Sequence, residues 1–362
     1  MTPHASTTYL LAGGGTAGHV NPLLAVADAL RAREPEASVL VLGTKEGLEA
    51  RLVPERGYEL LIVDKVPFPR RPNAAAVRFP VAWSRAVAQV RRHIRERGVD
   101  VVVGFGGYAS APAYVAARRE GIPYVVHEAN ARPGLANVLG ARRAAGTGVV
   151  FEGTPLRGAR VVGMPLRREI VDLDRAALRA EAAAAFGLDA TRPVLLVFGG
   201  SLGARRLNET LAEAWPEIVA AGWQILHAAG ERNEIVDSAH PDYRVVPYLD
   251  RMDLAFALAD VVVARSGAAT VSEVTALGIP AVYVPYAVGN GEQALNAAAA
   301  VRAGAARLIP DGEFTPDRAR QEVVTLLSDP EALAAMRAAT ATVGTRAGTE
   351  NVVAMIDEAL GP

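Results

Sequence analysis

The chain has 362 residues, enough for two domains, and its content of 51% hydrophobic and 21% charged residues excludes a disordered protein. No apolar run approaches the roughly 18 residues of a membrane-spanning helix, and the absence of cysteine excludes disulfides and thiolate metal sites. Because the N-terminus lacks a basic segment followed by a long apolar core, we expect a cytoplasmic protein.

The net charge of −1 divides into +8 over residues 1–164 and −9 over the remainder. This asymmetry favours an anionic surface or a polyanionic partner for the first half. Uneven surface composition is the alternative.

The first half alternates apolar strands with amphipathic helices. Such alternation predicts a parallel sheet covered on both faces. The predicted strands are Tyr9–Ala12, Ser38–Leu42, Leu60–Val63, Val99–Val103 and Tyr124–His127. The predicted helices include Leu23–Arg33, Gly47–Arg56, Ala111–Glu120 and Gly134–Arg143.

The second half repeats this design after residues 161–165. A helix, Arg175–Phe186, precedes the strand Val194–Phe198, a glycine turn and a helix from about Arg205. Further predicted strands are Gln224–Ala228, Arg244–Pro247, Val261–Ala264 and Ala281–Val284. We predict two Rossmann-like domains, 1–164 and 165–345. We expect the last helix, within 346–362, to pack back on the first domain.

The stretch Tyr9–Pro22 carries the first candidate for chemistry. A buried strand leads into a glycine-rich turn, after which Asn21 is expected to cap a helix. Backbone N–H groups at such a helix start can bind an anion. His19 lies beside this turn, where a neutral imidazole could accept a proton from a hydroxyl. His127 is the second candidate, and a structural histidine is the alternative for both.

The pattern Gly13-x-Gly15-x-x-Gly18 matches the dinucleotide-binding fingerprint in letters only. A dinucleotide site needs an acidic residue at the end of the second strand. That strand ends near Leu42, and Glu46 and Glu49 lie beyond it. We therefore predict a phosphate site rather than an NAD site.

Three turns of the second half also open helices. Gly199–Gly203 predicts a second anion site in which the Ser201 hydroxyl donates, and a plain tight turn is the alternative. Glu273 lies in a later helix and could accept hydrogen bonds from both hydroxyls of a ribose. Gln293 and Asn296 could bind sugar hydroxyls, and surface capping is the alternative.

Two further features have competing interpretations. Asp172-Leu173-Asp174 has the spacing of a carboxylate metal motif, but it precedes a helix, so capping explains it more simply. No cluster has convincing ligand spacing, and we predict no metal. The segment Val66–Arg97 mixes aromatic and apolar residues with arginines, which suits a membrane interface. An ordinary amphipathic helix that covers the sheet is the alternative.

Several dispersed motifs together resemble the MurG family of N-acetylglucosaminyltransferases of peptidoglycan synthesis. The resemblance runs from about residue 8 to residue 355. Its motifs are Gly13–Pro22, Gly104–Tyr108, His127–Asn137, Gly199–Ala204, Arg265–Glu273 and Glu292–Ala297.

The resemblance implies an α/β protein of the GT-B fold, with two Rossmann-like domains whose parallel sheets face an inter-domain cleft. It implies inverting, metal-independent transfer of N-acetylglucosamine from UDP-N-acetylglucosamine to the C4 hydroxyl of lipid I (undecaprenyl-diphospho-N-acetylmuramoyl-pentapeptide), giving lipid II. No cofactor and no nucleic acid are expected. The enzyme would lie on the inner face of the cell membrane, docked through its N-terminal domain on an anionic surface.

The same resemblance implies roles for individual residues. His19 would be the base for the acceptor hydroxyl, and Thr16, Ala17 and Gly18 would lie at the diphosphates. Donor binding is implied for Asn130 and Arg167, and phosphate binding for Ser201. Leu249 would pack near uracil, and Gln293 would touch the sugar. The nucleoside would be held by Ala268, Ala269, Thr270, Val271, Ser272 and Glu273, with Glu273 on the ribose.

Three departures from the family pattern leave other functions open. Ala17 replaces a common glycine, while Ala129 and Met164 replace polar residues. One alternative is a related GT-B transferase that acts on another acceptor, such as a natural-product scaffold. A UDP-sugar epimerase and a non-catalytic UDP-sugar-binding protein are the others.

Overall fold

The computed structural model describes residues 6–69, 71, 73–200, 204–231, 233, 239–286 and 291–361. The chain divides into two compact units. The first comprises Met1–Arg167 with Arg346–Pro362, and the second comprises Arg168–Thr345. In the described part of the chain, no helix is both long enough and apolar enough to cross a membrane.

The described residues of the first unit form a seven-stranded sheet in which every neighbouring pair is parallel. Its strands are β1 (Thr8–Ala12), β2 (Ser38–Gly43), β3 (Glu59–Ile62), β4 (Val101–Gly104), β5 (Tyr124–Glu128), β6 (Gly146–Val149) and β7 (Ala159–Val161). They lie in the order β3-β2-β1-β4-β5-β6-β7. Its helices before residue 167 are α1 (Ala17–Arg33), α2 (Glu49–Glu55), α3 (Ala74–Arg97), α4 (Ser110–Glu120) and α5 (Leu135–Gly140).

The second unit has a six-stranded parallel sheet among its described residues. Its strands are β8 (Val194–Phe198), β9 (Gln224–Ala228), β10 (Tyr243–Val246), β11 (Val261–Ala264), β12 (Ala281–Tyr283) and β13 (Ala306–Leu308), in the order β10-β9-β8-β11-β12-β13. Its helices are α6 (Arg168–Val171), α7 (Arg175–Phe186), α8 (Arg205–Ala220), α9 (Met252–Leu258), α10 (Ala268–Ala276), α11 (Glu292–Arg302), α12 (Pro316–Ala319), α13 (Thr325–Leu327) and α14 (Pro330–Thr340). A 3₁₀ turn spans Asp311–Glu313, and a π-helical turn, Arg320–Val324, joins α12 to α13.

The last helix, α15 (Gly348–Leu360), belongs to the first unit. Its buried side chains, including Val352 and Ile356, join the core beneath β1 and β4. Asn351 Nδ2 donates to the carbonyl of Val162 at 2.9 Å. A side chain at Gly348 would lie 2.0 Å from the Met164 carbonyl oxygen, so a glycine is needed for this close approach.

Successive apolar side chains along the buried strands pack on opposite faces of the first sheet. Leu11 packs with Leu23 of α1 and Ile356 of α15 on one face. Its neighbour Leu10 packs with Val90 of α3 on the other face. Because successive strand residues point to opposite faces, a strand that is apolar throughout requires helices on both sides.

The two sheets share one topology, and this locates the candidate sites. In each unit the first strand lies between the second and the fourth, and the order reverses there. Ligands of open α/β sheets bind beyond the carboxyl ends of the strands at such a point. The relevant edges follow β1 and β4 in the first unit and β8 and β11 in the second.

The start of α1 corrects one prediction. The helix begins at Ala17, with Thr16 as its extended cap residue, rather than after Asn21. Gly15, with φ of +89°, completes the turn directly after the strand, so the helix can start earlier. His19 therefore lies in the first helical turn, and Pro22 lies inside the helix.

Candidate active site

The turn after β1 fixes the orientation of the His19 imidazole. Nδ1 of the half-buried His19 lies 3.1 Å from the carbonyl oxygen of Gly14 and 3.3 Å from Thr16 Oγ1. A carbonyl oxygen only accepts hydrogen bonds, so Nδ1 carries the proton in this arrangement. Nε2 then keeps its lone pair, which is the form that a general base requires.

The N-terminus of α1 can receive an anion at the same place. No side chain caps this helix, and Thr16 is exposed. The N–H groups of Ala17 and Gly18 precede the first helical hydrogen bonds and have no intrahelical acceptor. Aligned N–H groups and the helix dipole make such an end suitable for a phosphate.

A buried carboxylate lies directly under this turn. Glu49 Oε2 accepts a hydrogen bond from the Gly15 N–H at 2.7 Å. Its Oε1 accepts from the N–H and the hydroxyl of Thr44 at 2.9 and 2.8 Å. Glu49 is 0% exposed, so it is not available to bind a ribose.

Sequence reasoning missed this contribution of Glu49. The residue does follow β2, but α2 begins with it and brings its carboxylate back to the glycine turn. The signal that could have found it is an acid near the start of a predicted helix, preceded by Gly43 and Gly47.

The turn after β4 packs closely against the same group. Gly107 has φ of +81°, and a Cβ there would lie 2.4 Å from the Gly14 carbonyl oxygen. A Cβ at Gly106 would lie 3.1 Å from Cδ2 and Nε2 of His19. Glycines at these positions let the two turns touch and leave space beside Nε2.

His127, the second histidine candidate, is fully buried in β5. Its Nε2 donates to the carbonyl of Gly163 at 3.1 Å, and its ring lies 5.6 Å from that of Phe105. Burial lowers the pKa of His127 from 6.5 to about 4, although the hydrogen bond to Gly163 opposes this shift. These contacts favour the structural alternative for His127.

A buried network positions the loop that carries Asn130. Glu128 Oε1 accepts from the Asn130 N–H at 2.9 Å, and Oε2 accepts from the Gly134 N–H at 3.0 Å. Asn137 Nδ2 donates to Glu128 at 2.9 Å, and Tyr114 donates its hydroxyl proton to Asn137 Oδ1 at 2.7 Å. The network holds Asn130 at the carboxyl end of β5.

Arg167 and Met164 lie in the segment before residue 168, and Ala129 follows β5. Arg167 is half-buried at the end of the first unit. Met164 and Ala129, which depart from the family pattern, are only 2% and 3% exposed. Both departures therefore place apolar side chains in buried positions.

The turn after β8 is described only in part. Gly199 and Gly200 follow the strand, and α8 begins at Arg205 without a side-chain cap. Residues 201–203 lie outside the described residues, and Ser201 is one of them.

The turn after β11 begins a second helix at this edge. Helix α10 starts at Ala268 after Gly267, again without a side-chain cap. Within the described ranges, the hydroxyl of fully buried Ser266 has no hydrogen-bond partner. Arg265 is buried beneath the turn and forms an ion pair with Asp311.

The residues predicted to hold the nucleoside occupy the first two turns of α10. Ala268 and Val271 are buried, whereas Glu273 is half-buried on the same helix. Ser272 donates its hydroxyl proton to the Ala268 carbonyl at 2.8 Å. Half-buried positions are also held by Ala269, Thr270 and Ser272. Leu249 is buried after β10.

Helix α11 contributes two amide side chains. Gln293 Oε1 accepts a hydrogen bond from the Tyr286 N–H at 2.8 Å. Asn296 is 0% exposed, and its Nδ2 donates to the Ser266 carbonyl at 3.3 Å. Surface capping is therefore wrong for Asn296, because this side chain connects α11 to the turn after β11.

Capping is confirmed for Asp174. Its carboxylate accepts from the N–H groups of Ala176 and Ala177, both at 3.0 Å. Asp172 forms an ion pair with Arg168 at 3.0 Å. Among the residues that the structure describes, no group of three or more histidine or acidic side chains could hold a metal ion.

Comparisons with known sequences identify the family. The glycosyltransferase family 28 N-terminal domain matches residues 9–149, and the glycosyltransferase family 28 C-terminal domain matches residues 194–352. The chain is 63% identical, over 98% of its length and 97% of the relative, to a UDP-N-acetylglucosamine--N-acetylmuramyl-(pentapeptide) pyrophosphoryl-undecaprenol N-acetylglucosamine transferase of Clavibacter sepedonicus. The protein of that name from Streptomyces coelicolor is 50% identical over 97% of this chain and 98% of the relative.

Solved structures agree with the sequence relatives. Acinetobacter baumannii MurG has a TM-score of 0.80 and 30% identity, over 97% of this chain and 99% of that one. The calicheamicin glycosyltransferase CalG4, at 17% identity and a TM-score of 0.66 over 99% of both chains, shares the fold alone. The predicted fold class, two Rossmann-like parallel-sheet units of the GT-B type, is confirmed. The chain belongs to glycosyltransferase family 28, and its resemblance to the MurG members of that family is confirmed.

Proposed function

We propose that this chain is a UDP-N-acetylglucosamine-dependent glycosyltransferase that converts lipid I to lipid II in peptidoglycan synthesis. Relatives that carry this activity in their names match nearly the whole chain at 50–63% identity. The observation that carries the mechanism is the orientation of His19, whose Nδ1 lies 3.1 Å from the Gly14 carbonyl.

The reaction is a single displacement with His19 as the base. Nε2 accepts the proton of the acceptor C4 hydroxyl while that oxygen bonds to C1 of N-acetylglucosamine. The bond between C1 and the diphosphate oxygen breaks, and UDP leaves with the electron pair. Attack from the face opposite the leaving group inverts the anomeric configuration. A positioned base of this kind contributes about 10²–10⁴-fold to the rate.

The second unit supplies the donor site in this proposal. Helices α8, α10 and α11 begin at the carboxyl edge of its sheet without side-chain caps. Their N–H groups and dipoles suit the negative charge that develops on the departing diphosphate. In the second unit, donor contacts are assigned to Ser201, Leu249, Ala268–Glu273 and Gln293, with Glu273 on the ribose. Asn130 and Arg167, which belong to the first unit, are also assigned to donor binding.

Acceptor binding is assigned to the first unit, at the start of α1. The N–H groups of Ala17 and Gly18 and the Thr16 hydroxyl would meet diphosphate oxygens. A lipid-linked acceptor carries this diphosphate at the membrane surface, so the enzyme must dock there to reach it.

Helix α3 supports docking on an anionic membrane. Its C-terminal half covers the sheet, but Val77 and Val81 near its start are 80% and 67% exposed. The rings of Phe68, Phe79 and Trp83 contact one another at centroid distances of 5.5 to 5.7 Å, and Phe79 and Trp83 pack against the core on the other face of the helix. Exposed apolar side chains such as these two valines suit insertion at the depth of lipid headgroups.

A basic cavity on the same unit adds positive charge. Four arginines and two tyrosines line a space of about 480 Å³. The arginines are Arg118, Arg142, Arg143 and Arg157. Guanidinium groups of this kind pair with phosphate oxygens of anionic lipids.

A transfer assay tests the activity directly. Purified protein would be incubated with radiolabelled UDP-N-acetylglucosamine and a short-chain lipid I analogue. We expect labelled disaccharide lipid and an equal amount of UDP. Donor binding without transfer to this acceptor would contradict the acceptor assignment and favour a transferase for another acceptor.

Vesicle flotation tests the membrane assignment separately. We expect the protein to float with vesicles that contain phosphatidylglycerol, and a Val77→Ser/Val81→Ser variant to float less. Val161→Ser is the matched control, because Val161 is also exposed but lies in β7. Equal flotation of all three proteins would contradict docking through α3.

A further inference from the structure

We propose that Glu49 is a positioning residue for His19, acting through the single peptide group that joins Gly14 to Gly15. The N–H of this peptide donates to Glu49 Oε2 at 2.7 Å. Its carbonyl oxygen lies 3.1 Å from His19 Nδ1. One planar amide therefore connects a carboxylate to an imidazole. The inference rests on the proposed role of His19 as the base.

The surroundings of Glu49 match an ionised carboxylate. An ionised carboxylate only accepts hydrogen bonds, and three donors from Gly15 and Thr44 converge on it. A buried charge is costly unless donors of this kind replace water. An acid at this buried position therefore indicates a functional or structural role.

Three glycines adapt the backbone to this side chain. A Cβ at Gly14, Gly43 or Gly47 would lie 2.2, 2.5 or 2.0 Å from atoms of Glu49. The end of β2, the glycine turn and the residue pair before α2 thus pack directly on the Glu49 side chain. Such packing fixes the plane of the Gly14–Gly15 peptide.

The carboxylate changes the chemistry of the imidazole through that peptide. A charge-assisted hydrogen bond to the Gly15 N–H polarises the amide, so the Gly14 carbonyl oxygen becomes a better acceptor. It then favours the proton on Nδ1 and leaves the Nε2 lone pair for the acceptor hydroxyl. The same polarisation stabilises the imidazolium that forms when Nε2 takes that proton.

Thr16 alone would not produce this selectivity. Its hydroxyl lies 3.3 Å from His19 Nδ1 and can donate or accept, so it is compatible with either neutral form of the ring. The Gly14 carbonyl can only accept. The choice of tautomer therefore depends on the peptide that Glu49 holds.

Glu49→Gln distinguishes the contact of residue 49 with the Gly15 N–H from its contacts with Thr44. If the amide oxygen keeps the two Thr44 donors, the amide NH₂ faces the Gly15 N–H, and two donors repel each other. The Gly15 contact is lost while the Thr44 contacts remain. Thr44→Val is the matched control, since it removes one donor to the same carboxylate and leaves the Gly15 contact intact.

The first measurement uses ¹⁵N chemical shifts of the His19 ring in substrate-free protein. We expect the neutral wild-type ring to carry its proton on Nδ1, and Glu49→Gln to increase the form protonated on Nε2. Thr44→Val should resemble wild type. A wild-type ring protonated on Nε2 would overturn the proposal without any variant being needed.

The second measurement compares kcat with the KM for UDP-N-acetylglucosamine. We expect Glu49→Gln to lower kcat by about 10–100-fold, as for outer partners that orient metal-bound histidines, while KM stays within about threefold. A lower kcat with an unchanged His19 tautomer would indicate a structural role for Glu49 and would overturn the proposal that it positions the ring. Unchanged kcat and tautomer would also overturn it. Because the ring measurement needs no substrate, it tests the link even if transfer to lipid I fails.

Discussion

The two units use one strand order but bury opposite charges beneath their ligand edges. In the first unit, the carboxylate of Glu49 lies under the turn after β1. In the second, the guanidinium of Arg265 lies under the turn after β11 and pairs with Asp311, which also faces Arg206 at 3.5 Å. That cluster keeps a net positive charge. The shared topology therefore predicts the same place for a ligand in each unit, and the buried charges predict different chemistry at the two places.

In the proposed mechanism, this difference divides the reaction between the units. The carboxylate beneath the first edge would support the imidazole that takes up a proton. Positive charge and open helix starts at the second edge suit a nucleoside diphosphate. The two units should therefore behave alike in some measurements and differ in others.

Sensitivity to acid should be common to the two units, because each has a buried histidine among its described residues. Burial lowers the pKa of His127 in β5 and of His227 in β9 from 6.5 to about 4. Between these values the unfolded chain binds more protons than the folded chain, so the free energy of unfolding falls as the pH falls. Each histidine contributes up to about 3 kcal/mol across the full window.

Urea unfolding at pH 7, 6 and 5 checks this expectation. The free energy of unfolding should decrease at each step. In His227→Gln it should depend less steeply on pH, because about one proton fewer is taken up on unfolding. If the free energy of unfolding has the same pH dependence in wild type and variant, His227 is protonated equally in the folded and unfolded chain, which contradicts the prediction.

Close packing of turns should be specific to the first edge. Gly107→Ala places a Cβ 2.4 Å from the Gly14 carbonyl oxygen, in addition to the cost of a positive φ. Gly158→Ala is the control, since its φ of +67° is similar and open space surrounds it. We expect a loss of about 1–2 kcal/mol for the control and about 1–3 kcal/mol more for Gly107→Ala.

Thermal and urea unfolding of both variants measure these losses. Gly107→Ala should also lower kcat, because the Gly14 carbonyl holds His19, whereas Gly158→Ala should not. Equal stability and equal kcat in the two variants would contradict the contact between the turns.

Ribose recognition should belong to the second edge alone. Glu273→Gln should weaken UDP binding by about tenfold or more, the value of a hydrogen bond to a charged group. With 2′-deoxy-UDP the loss should be smaller, because one partner hydroxyl is absent. Calorimetry on both ligands measures this coupling, and the control is Glu331→Gln, which changes an exposed glutamate of α14. Equal losses for the two nucleotides would contradict contact with the 2′ hydroxyl.

Much of the fold follows from local patterns in the sequence. Apolar runs predict β8, β9 and β11 with correct bounds, because these strands are buried on both faces. The strands β6, β7 and β13 are missed because none of them forms an apolar run: β6 contains two glycines, and β7 and β13 are three-residue strands with a central arginine. Strand β7 is exposed throughout, so it carries no apolar signal.

The candidate site is less accessible to such reasoning. His19 can be singled out because it follows a glycine turn at a predicted sheet edge. Glu49 acts through a backbone peptide more than thirty residues away in sequence, and Asn296 contacts the backbone of Ser266. Contacts of this kind depend on tertiary packing, which no local pattern reports.

The most direct test of the account measures kcat and the donor dissociation constant in His19→Ala. The control is His93→Ala, which changes a histidine of α3 that contacts the Ile62 carbonyl. We expect kcat to fall at least about 100-fold in His19→Ala, with UDP-N-acetylglucosamine bound within about twofold of wild type, and neither value to change in the control. A kcat near that of wild type, or a loss that arises only from weaker donor binding, would contradict the assignment of the base to the first unit.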